Sequence, residues 1–194
     1  MARQRDEEKR LAILSAAARV IADEGLSAPT AKIARAAGVA DGTLFVYFSN
    51  KDVLLNDLYL HLKEELKARV AASVSHEADL RTQLNGIWKT WTDWGVHEPA
   101  KRRALAQLQV SDKITADSRA KGLDGVADML ALVRRVSGQG PMRDAPVMFI
   151  GAVMEAMATT TIDFMSGEPE RAAAFCDWGF EAMWGALAAK TPVT

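Results

Sequence analysis

The sequence contains one cysteine, Cys176, and three histidines, and it has no internal repeat or low-complexity tract. A single cysteine cannot form an internal disulfide, which is consistent with a reducing cytosol. Cys176 lies in an apolar segment, and this favours a packed thiol over a reactive one. The sequence also lacks a His/Cys cluster, a phosphate-binding loop and a nucleophile elbow, so we predict no metal, no cofactor and no enzymatic activity.

Uninterrupted apolar runs long enough for a signal-peptide core or a membrane span are also missing. We therefore expect a soluble, cytoplasmic protein. The 194 residues carry a formal net charge of -1, which argues against indiscriminate attraction to nucleic acid. A local basic face is compatible with this total, because residues 1–51 hold eight Lys or Arg against six Asp or Glu.

Strand-like alternation of apolar and polar residues is rare, whereas apolar residues recur at helical spacing almost throughout. The sequence therefore predicts an all-α fold. Three short helices and a long one fill the first 75 residues, and further helices are predicted near 78–97, 100–110, 116–137, 145–166 and 169–189. We place a first domain at residues 1–50 and a second at 51–194, joined by the long helix that begins near Lys51.

Cap and stop residues mark the ends of the N-terminal helices. Gly25 and Gly38 can adopt the left-handed conformation that ends a helix. Thr30 is a candidate N-cap for the second helix, as are Ser49 and Asn50 for the long one. A short helix, a glycine-containing turn and another short helix form a helix-turn-helix, whose second helix enters the major groove when it binds DNA. Spacing alone also fits an ordinary αα-corner.

The segment TAKIARAAGVADGTLFVYFSNKDVLL, residues 30–55, resembles the signature of the tetracycline-repressor (TetR) family of transcriptional regulators. The matching positions are Thr30, Ile33, Ala34, Ala37, Gly38, Val39, Gly42, Thr43, Leu44, Tyr47, Phe48 and Lys51, of which Leu44 and Phe48 are core positions. The resemblance implies an N-terminal three-helix helix-turn-helix DNA-binding domain, joined by a long helix to a C-terminal helical domain for ligand binding and dimerisation. It further implies a homodimer, formed through the last two helices, on double-stranded DNA with a palindromic operator.

Within this resemblance, four residues are expected to position the domain on the DNA backbone. Thr30 and Lys51 lie at helix N-termini, where the side chain and the helix dipole can both favour a phosphate. Thr43 and Tyr47 carry hydroxyls on the outer face of the second helix. The N-terminal tail adds two arginines of the kind that reach an adjacent groove. The predicted DNA-binding residues are Arg3, Arg5, Thr30, Asp41, Gly42, Thr43, Phe45, Val46, Tyr47 and Lys51.

The second helix departs from the family pattern. Asp41 stands where a cation is usual, and it either caps this helix or accepts a hydrogen bond from N4 of cytosine. Phe45 replaces the first usual tyrosine and is followed by Val46. These two side chains either contact thymine methyl groups or pack inside the domain. Gly42 completes the group of candidate base readers.

Three tryptophans share one predicted helix of the C-terminal half. Their rings either form a bulky core seam or line a cavity for a flat or apolar effector. Glu155 interrupts an apolar helix, where it points to solvent, pairs with an arginine, or anchors a cationic or hydrogen-bonding ligand. The candidate ligand-binding residues are Trp88, Trp91, Trp94, Gln107, Met129, Met154 and Glu155.

The resemblance and these residues favour a ligand-responsive DNA-binding transcriptional regulator. We expect a repressor that a small, largely hydrophobic or aromatic effector releases from its operator. The alternative keeps the fold without the sensing: an architectural or cell-cycle DNA-binding protein whose C-terminal half recruits a protein partner. A solid C-terminal core without a cavity would favour the alternative.

Overall fold

A computed structural model describes residues 2–73 and 78–188, with side chains from residue 6 onward. These residues form ten α-helices and one 3-10 turn, and they contain no β-strand. The helices are α1 (Ala2–Glu24), α2 (Thr30–Ala36), α3 (Asp41–Tyr47), α4 (Lys51–Ser73), α5 (Leu80–His97), α6 (Pro99–Gln109), α7 (Ala116–Gly122), α8 (Ala127–Ser137), α9 (Val147–Gly167) and α10 (Ala172–Leu187), with the 3-10 turn at Pro169–Arg171. The predicted all-α fold is confirmed.

Glycine and asparagine define several helix ends. α1 ends before Gly25, whose φ of 83° lies in the left-handed region that favours glycine. α4 begins after Asn50, whose side-chain Oδ1 accepts a hydrogen bond from the backbone N–H of Val53 at 2.9 Å. The prediction of one continuous helix over 116–137 is wrong, because α7 ends at Gly122 and Gly125, at φ 73°, lies between it and α8.

The chain divides into two compact units. The first contains the residues up to Glu65 together with Glu98–Asp124, and the second contains Leu66–His97 together with the residues from Gly125 onward. This division differs from the predicted boundary at residue 50. The reason is that α6 packs against α1, although the two helices lie far apart in the sequence.

The first unit has an aliphatic core. Its buried side chains include Ile13, Leu14, Ile21, Ile33, Leu44, Leu54, Leu58 and Leu105. Gln107 also fixes α6 to α1, because its Nε2 donates to the carbonyl oxygen of Ile21 at 3.1 Å. On α4, the Asn56 amide donates to the carbonyl oxygen of Lys113 at 2.9 Å and accepts from the N–H of Thr115 at 3.0 Å. These contacts join the short N-terminal helices to a larger scaffold.

The second unit is built from α5, α8, α9 and α10. Trp88 of α5 is only 1 % exposed, and its Nε1 donates to the carbonyl oxygen of Cys176 at 2.9 Å. Gly179 of α10 lies directly beside this ring, since a Cβ at Gly179 would come within 2.8 Å of Cζ2 of Trp88. The surrounding core includes Leu84, Ile87, Leu132, Val133, Ile150, Met154, Ala158, Phe180 and Met183.

The pair α9 and α10 also has an exposed apolar face, formed by Met148, Phe149, Phe164 and Trp178. By length and composition alone, α9 could cross a membrane, although Glu155 and Asp163 interrupt its apolar residues. Within its unit, however, α9 packs against α5, α8 and α10. Its exposed side chains Met148, Phe149 and Phe164 are therefore apolar surface that the other described residues leave uncovered.

Candidate nucleic-acid interface

The helices α2 and α3 have the geometry of a helix-turn-helix. α2 ends at Ala36, and the turn passes through Gly38 at φ 69°. The backbone N–H of Val39 closes the turn by donating to the carbonyl oxygen of Ala34 at 3.0 Å. Glycine therefore occupies the position that needs a left-handed backbone, and α3 begins three residues later at Asp41.

α3 has one buried face and one exposed face. Leu44 is fully buried, as is Phe48 just after the helix, and both fulfil the core roles predicted for them. Phe45 is 48 % exposed and Val46 is 80 % exposed, so neither side chain is buried within the first unit. The four candidate base readers that share the exposed surface are Asp41, Gly42, Phe45 and Val46.

The capping role predicted for Thr30 is wrong, and of the two alternatives for Asp41 the structure does not support capping. Each residue is the first of its helix, and the N-cap positions are Pro29 and Ala40, both in extended backbone conformation without a side-chain cap. The Asp41 carboxylate lies in the first turn of α3, where the positive end of the helix dipole favours a negative charge. Since it does not cap the helix, this carboxylate keeps its exposed position on the outer surface.

Tyr47 and Lys51, which are expected to contact phosphates, form hydrogen bonds within the protein. The Tyr47 hydroxyl donates to Oδ1 of Asp6 at 3.3 Å. Desolvation, followed by the Asp6 carboxylate, raises the pKa of Tyr47, so the phenol remains protonated at neutral pH. Lys51 donates from Nζ to the carbonyl oxygen of Ala28 at 2.7 Å, which uses one of its three N–H bonds. Lys51 therefore also ties the start of α4 to the chain before α2.

The remaining DNA-binding candidates have less definite positions. Thr43 is half-buried on α3. At the N-terminus, α1 already begins at Ala2, so the backbone at Arg3 and Arg5 is helical where we expected a tail. The side chains of both arginines lie outside the described residues.

Two residues of α1 support the interface and were missed by the sequence analysis. Asp6 accepts the hydrogen bond from Tyr47. Arg10 places its guanidinium 5.8 Å from the centroid of the Phe48 ring and pairs with Asp57 at 3.0 Å. These contacts hold α1 against α3 and α4. Local patterns could not predict them, because the bonded partners lie 41 and 47 residues apart.

The predicted ligand-binding residues are dispersed. In the second unit, Trp88, Trp94 and Met154 are buried, whereas Trp91, Met129 and Glu155 are half-buried. Gln107 belongs to the first unit, where it bonds to Ile21. Trp91, Met129 and Glu155 therefore keep accessible surface in the second unit.

The second unit also has an open depression with a volume of about 490 Å³. Its lining residues are Lys89, Thr90, Thr92, Asp93, Met165, Ala173, Cys176 and Asp177. The seven predicted ligand-binding residues are not among them. Small-molecule sites of roughly 300–1,000 Å³ usually enclose most of the ligand, whereas this depression is open and has Lys89, Asp93 and Asp177 in its lining.

Gly42→Ala is expected to stabilise the protein and weaken its binding to DNA. A Cβ at Gly42 would meet no other described atom within 4 Å, and alanine is more favourable than glycine in a helix by up to about 1 kcal/mol. The melting temperature should rise by about 2 °C. DNA affinity should fall if the outer face of α3 meets the bases as predicted, because the added methyl group projects from that face. Thermal unfolding and a DNA titration measure the two effects, and unchanged affinity would place Gly42 outside the interface.

The same N-terminal helices match a known family. The model for bacterial regulatory proteins of the tetR family matches residues 13–58, which include α2, α3 and most of the surrounding α1 and α4 segments of the first unit. The "Fatty acid metabolism regulator protein" of Bacillus subtilis (strain 168) is 35 % identical over 77 residues, which are 39 % of this chain and 40 % of that protein. The "Nucleoid occlusion factor SlmA" of Haemophilus influenzae (strain PittGG) is 29 % identical over 76 residues, or 39 % of this chain and 35 % of that protein. The matches thus span two-fifths or less of these curated relatives.

The likeness to solved structures extends over nearly the whole chain. The crystal structure of a TetR family transcription regulator from Marinobacter aquaeolei VT8 matches with a TM-score of 0.81 and 26 % identity, covering 97 % of this chain and 100 % of that one. The helix-turn-helix geometry, the family match and this structural likeness agree. The chain is therefore similar to TetR family transcriptional regulators, over residues 13–58 in sequence and over nearly its whole length in fold.

Proposed function

We propose that this regulator is a ligand-responsive repressor, which binds a palindromic operator as a homodimer in the cytoplasm and is released by a small, largely hydrophobic or aromatic effector. The observation that carries the proposal is the outer face of α3. It presents Asp41, Gly42, Phe45 and Val46 together, on a helix held from inside by fully buried side chains. A helix presented in this way fits the major groove of DNA.

The exposed face of α9 and α10 supports the homodimer. Its large apolar side chains are Met148, Phe149, Phe164 and Trp178. Phe164 and Trp178 both lie against the Phe175 ring, and grouped apolar side chains exposed to water are typical of a surface that binds a partner. A second copy that covers the same face through a two-fold axis would provide two α3 helices, one for each half of a palindrome.

The effector would act on the second unit. Trp91 and Met129 pack at the edge of its core, where a ring and a thioether offer apolar contacts to a ligand, and Glu155 adds a half-buried carboxylate on α9. An effector that prefers one arrangement of the dimer lowers the DNA affinity through a coupling of about 1–3 kcal/mol. The expected result is release of the operator.

Selection from a pool of random duplexes tests operator binding. We expect the purified protein to enrich a two-fold symmetric sequence with half-sites about one helical turn, or a multiple of it, apart. The affinity should fall as salt rises, because Lys and Arg contacts to phosphates release counterions. Failure to enrich any palindrome at moderate salt, together with salt-independent affinity, would contradict the proposal.

A thermal-shift screen of apolar, aromatic and cationic compounds tests the effector. A ligand present at 100 times its Kd should stabilise the protein by about 2.7 kcal/mol, and the same compound should release the selected operator. Trp91→Ala should weaken both responses, whereas Lys89→Ala, in the open depression, should leave them unchanged. A compound that stabilises the protein without releasing the operator is not the effector.

One observation favours a second candidate function, that of a DNA-binding architectural or cell-cycle protein. The core of the second unit is filled at Trp88, where Gly179 packs without room for a Cβ. One relative is also a nucleoid occlusion factor, although the match to it covers 39 % of this chain. Operator binding that no compound in the screen changes, combined with specific capture of a protein partner by the second unit, would favour this candidate.

A further inference from the structure

The outer face of α3 is unusually poor in hydrogen-bonding groups. Gly42, Phe45 and Val46 are spaced i, i+3 and i+4, so they lie on the same side of the helix. Phe45 and Val46 are exposed, whereas the preceding residue, Leu44, is fully buried. This places an aromatic ring and two methyl groups side by side in the position that a recognition helix offers to the bases.

The polar groups nearest to this face have other partners or other positions. The Tyr47 hydroxyl donates to Asp6, and the Lys51 ammonium donates to the carbonyl oxygen of Ala28. Thr43 is half-buried. Asp41 is the exposed exception, and it is one turn from Phe45 on the same side of the helix. The centre of the face is therefore apolar, and the Asp41 carboxylate borders it.

An apolar side chain in the major groove has one matching group on the base edges. Thymine presents a C5-methyl group there, whereas adenine, guanine and cytosine present hydrogen-bond donors and acceptors and have no methyl group. Covering those polar atoms with Phe45 or Val46 would remove water without replacing its hydrogen bonds, which costs free energy. Covering a methyl group is favourable, at roughly 0.8 kcal/mol per buried carbon.

We propose that Phe45 and Val46 read the C5-methyl group of pyrimidines in the operator, so that this protein accepts thymine and 5-methylcytosine at the same positions and discriminates against cytosine and uracil. This inference rests on the proposed operator binding and specifies how the operator is recognised. 5-Methylcytosine has the same C5-methyl group as thymine, but it has an amino group in place of the O4 oxygen. Because Phe45 and Val46 cannot form hydrogen bonds with either group, their contact with the methyl group stays the same. DNA methylation at these positions thus restores a contact that cytosine lacks.

The test uses the operator obtained by selection, with single bases replaced chemically. Thymine at each position within the α3 footprint is replaced by uracil, by cytosine or by 5-methylcytosine, with the matching purine opposite. We expect uracil and cytosine to lower the affinity about fourfold per methyl group, and 5-methylcytosine to recover most of the loss against cytosine. Uracil at thymines outside the footprint is the control and should have no effect.

Two protein variants connect the methyl effect to the named residues. Phe45→Ala and Val46→Ala change exposed side chains, so both proteins should fold normally. Each should bind the thymine operator more weakly and lose its sensitivity to uracil at one position, as a double-mutant cycle requires for direct contact. The thymine-to-uracil ratio should also stay constant as salt rises, although both affinities fall, because a methyl contact displaces no counterion.

Two failures are distinguishable. If no palindrome is selected, the proposed operator binding fails. If an operator is selected but its affinity is the same with thymine and uracil throughout the α3 footprint, operator binding stands and methyl recognition is overturned. A preference for thymine that persists unchanged in both alanine variants would also overturn it, since other residues would then carry the contact.

Discussion

Phe48→Ala is expected to destabilise the first unit by about 3–5 kcal/mol and to abolish DNA binding. The Phe48 ring is fully buried, with 0 % of its surface exposed, and the guanidinium of Arg10 lies 5.8 Å from its centroid. Truncation removes the buried ring and leaves a cavity where α3 is anchored. A loss of this size is a large part of the roughly 5–15 kcal/mol that stabilises a folded protein.

Phe45→Ala is the matched control for the stability effect. It truncates the same residue type three positions earlier, on the exposed face of α3. Its effect on the free energy of unfolding should stay within about 0.5 kcal/mol. Urea unfolding followed by circular dichroism, at one fixed protein concentration, measures both variants. Equal destabilisation by the two substitutions would contradict the buried and exposed faces assigned to α3.

The helix-turn-helix could be predicted from sequence because its signals are local. Gly38 has the positive φ that the turn needs, and Leu44 and Phe48 are buried at the spacing of one helical face. Asn50 caps α4 within three residues of its own position. In each case the physical cause lies within one or two turns of the residue concerned, so the sequence pattern alone contains it.

N-cap preference is also a local signal, but it did not identify the N-cap residues of α2 and α3. Thr30 and Asp41 are good N-cap residues, yet each lies one residue inside its helix. The preceding Pro29 and Ala40 have the extended backbone of an N-cap without supplying a capping side chain. Residue preference therefore located both helix starts to within one residue but did not assign the roles of the side chains.

Long-range packing could not be predicted at all. Gln107 looked like a polar anchor for a ligand, but it bonds to the end of α1, 86 residues earlier in the chain. For the same reason, local patterns could not place α6 and α7 in one compact unit with α1, α2 and α3. An apolar stripe indicates that a helix face is buried, but it does not identify the helix that buries it.

The tryptophans of α5 show how long-range packing affects the choice of ligand-binding residues. A ring on an apolar stripe can fill a core or line a cavity, and the sequence left both readings open. In the structure Trp88 is buried and bonded to the carbonyl oxygen of Cys176, whereas Trp91 on the same helix is half-buried. Trp88 therefore belongs to the core, and Trp91 is the better candidate for contact with an effector.

Trp88→Ala should accordingly cost about 3–5 kcal/mol of unfolding free energy, whether or not an effector is present. The substitution removes one of the two largest fully buried side chains and leaves the Cys176 carbonyl oxygen without its donor. Urea unfolding of the second unit measures the loss. If Trp88 instead lined an open cavity, truncation would cost little and would mainly change the response to the effector.

Trp178→Ala separates this core effect from an effect on dimerisation. Trp178 is 56 % exposed on α10 and contacts Phe175 and Arg171 within the chain, so its truncation should cost a single chain much less than that of Trp88. If that face binds a second copy, the destabilisation by Trp178→Ala should grow as the protein is diluted, because stability then depends on subunit concentration. The cost of Trp88→Ala, relative to the unchanged protein at the same concentration, should remain constant. A concentration-dependent penalty for Trp88→Ala would place its ring at the dimer interface rather than in the core.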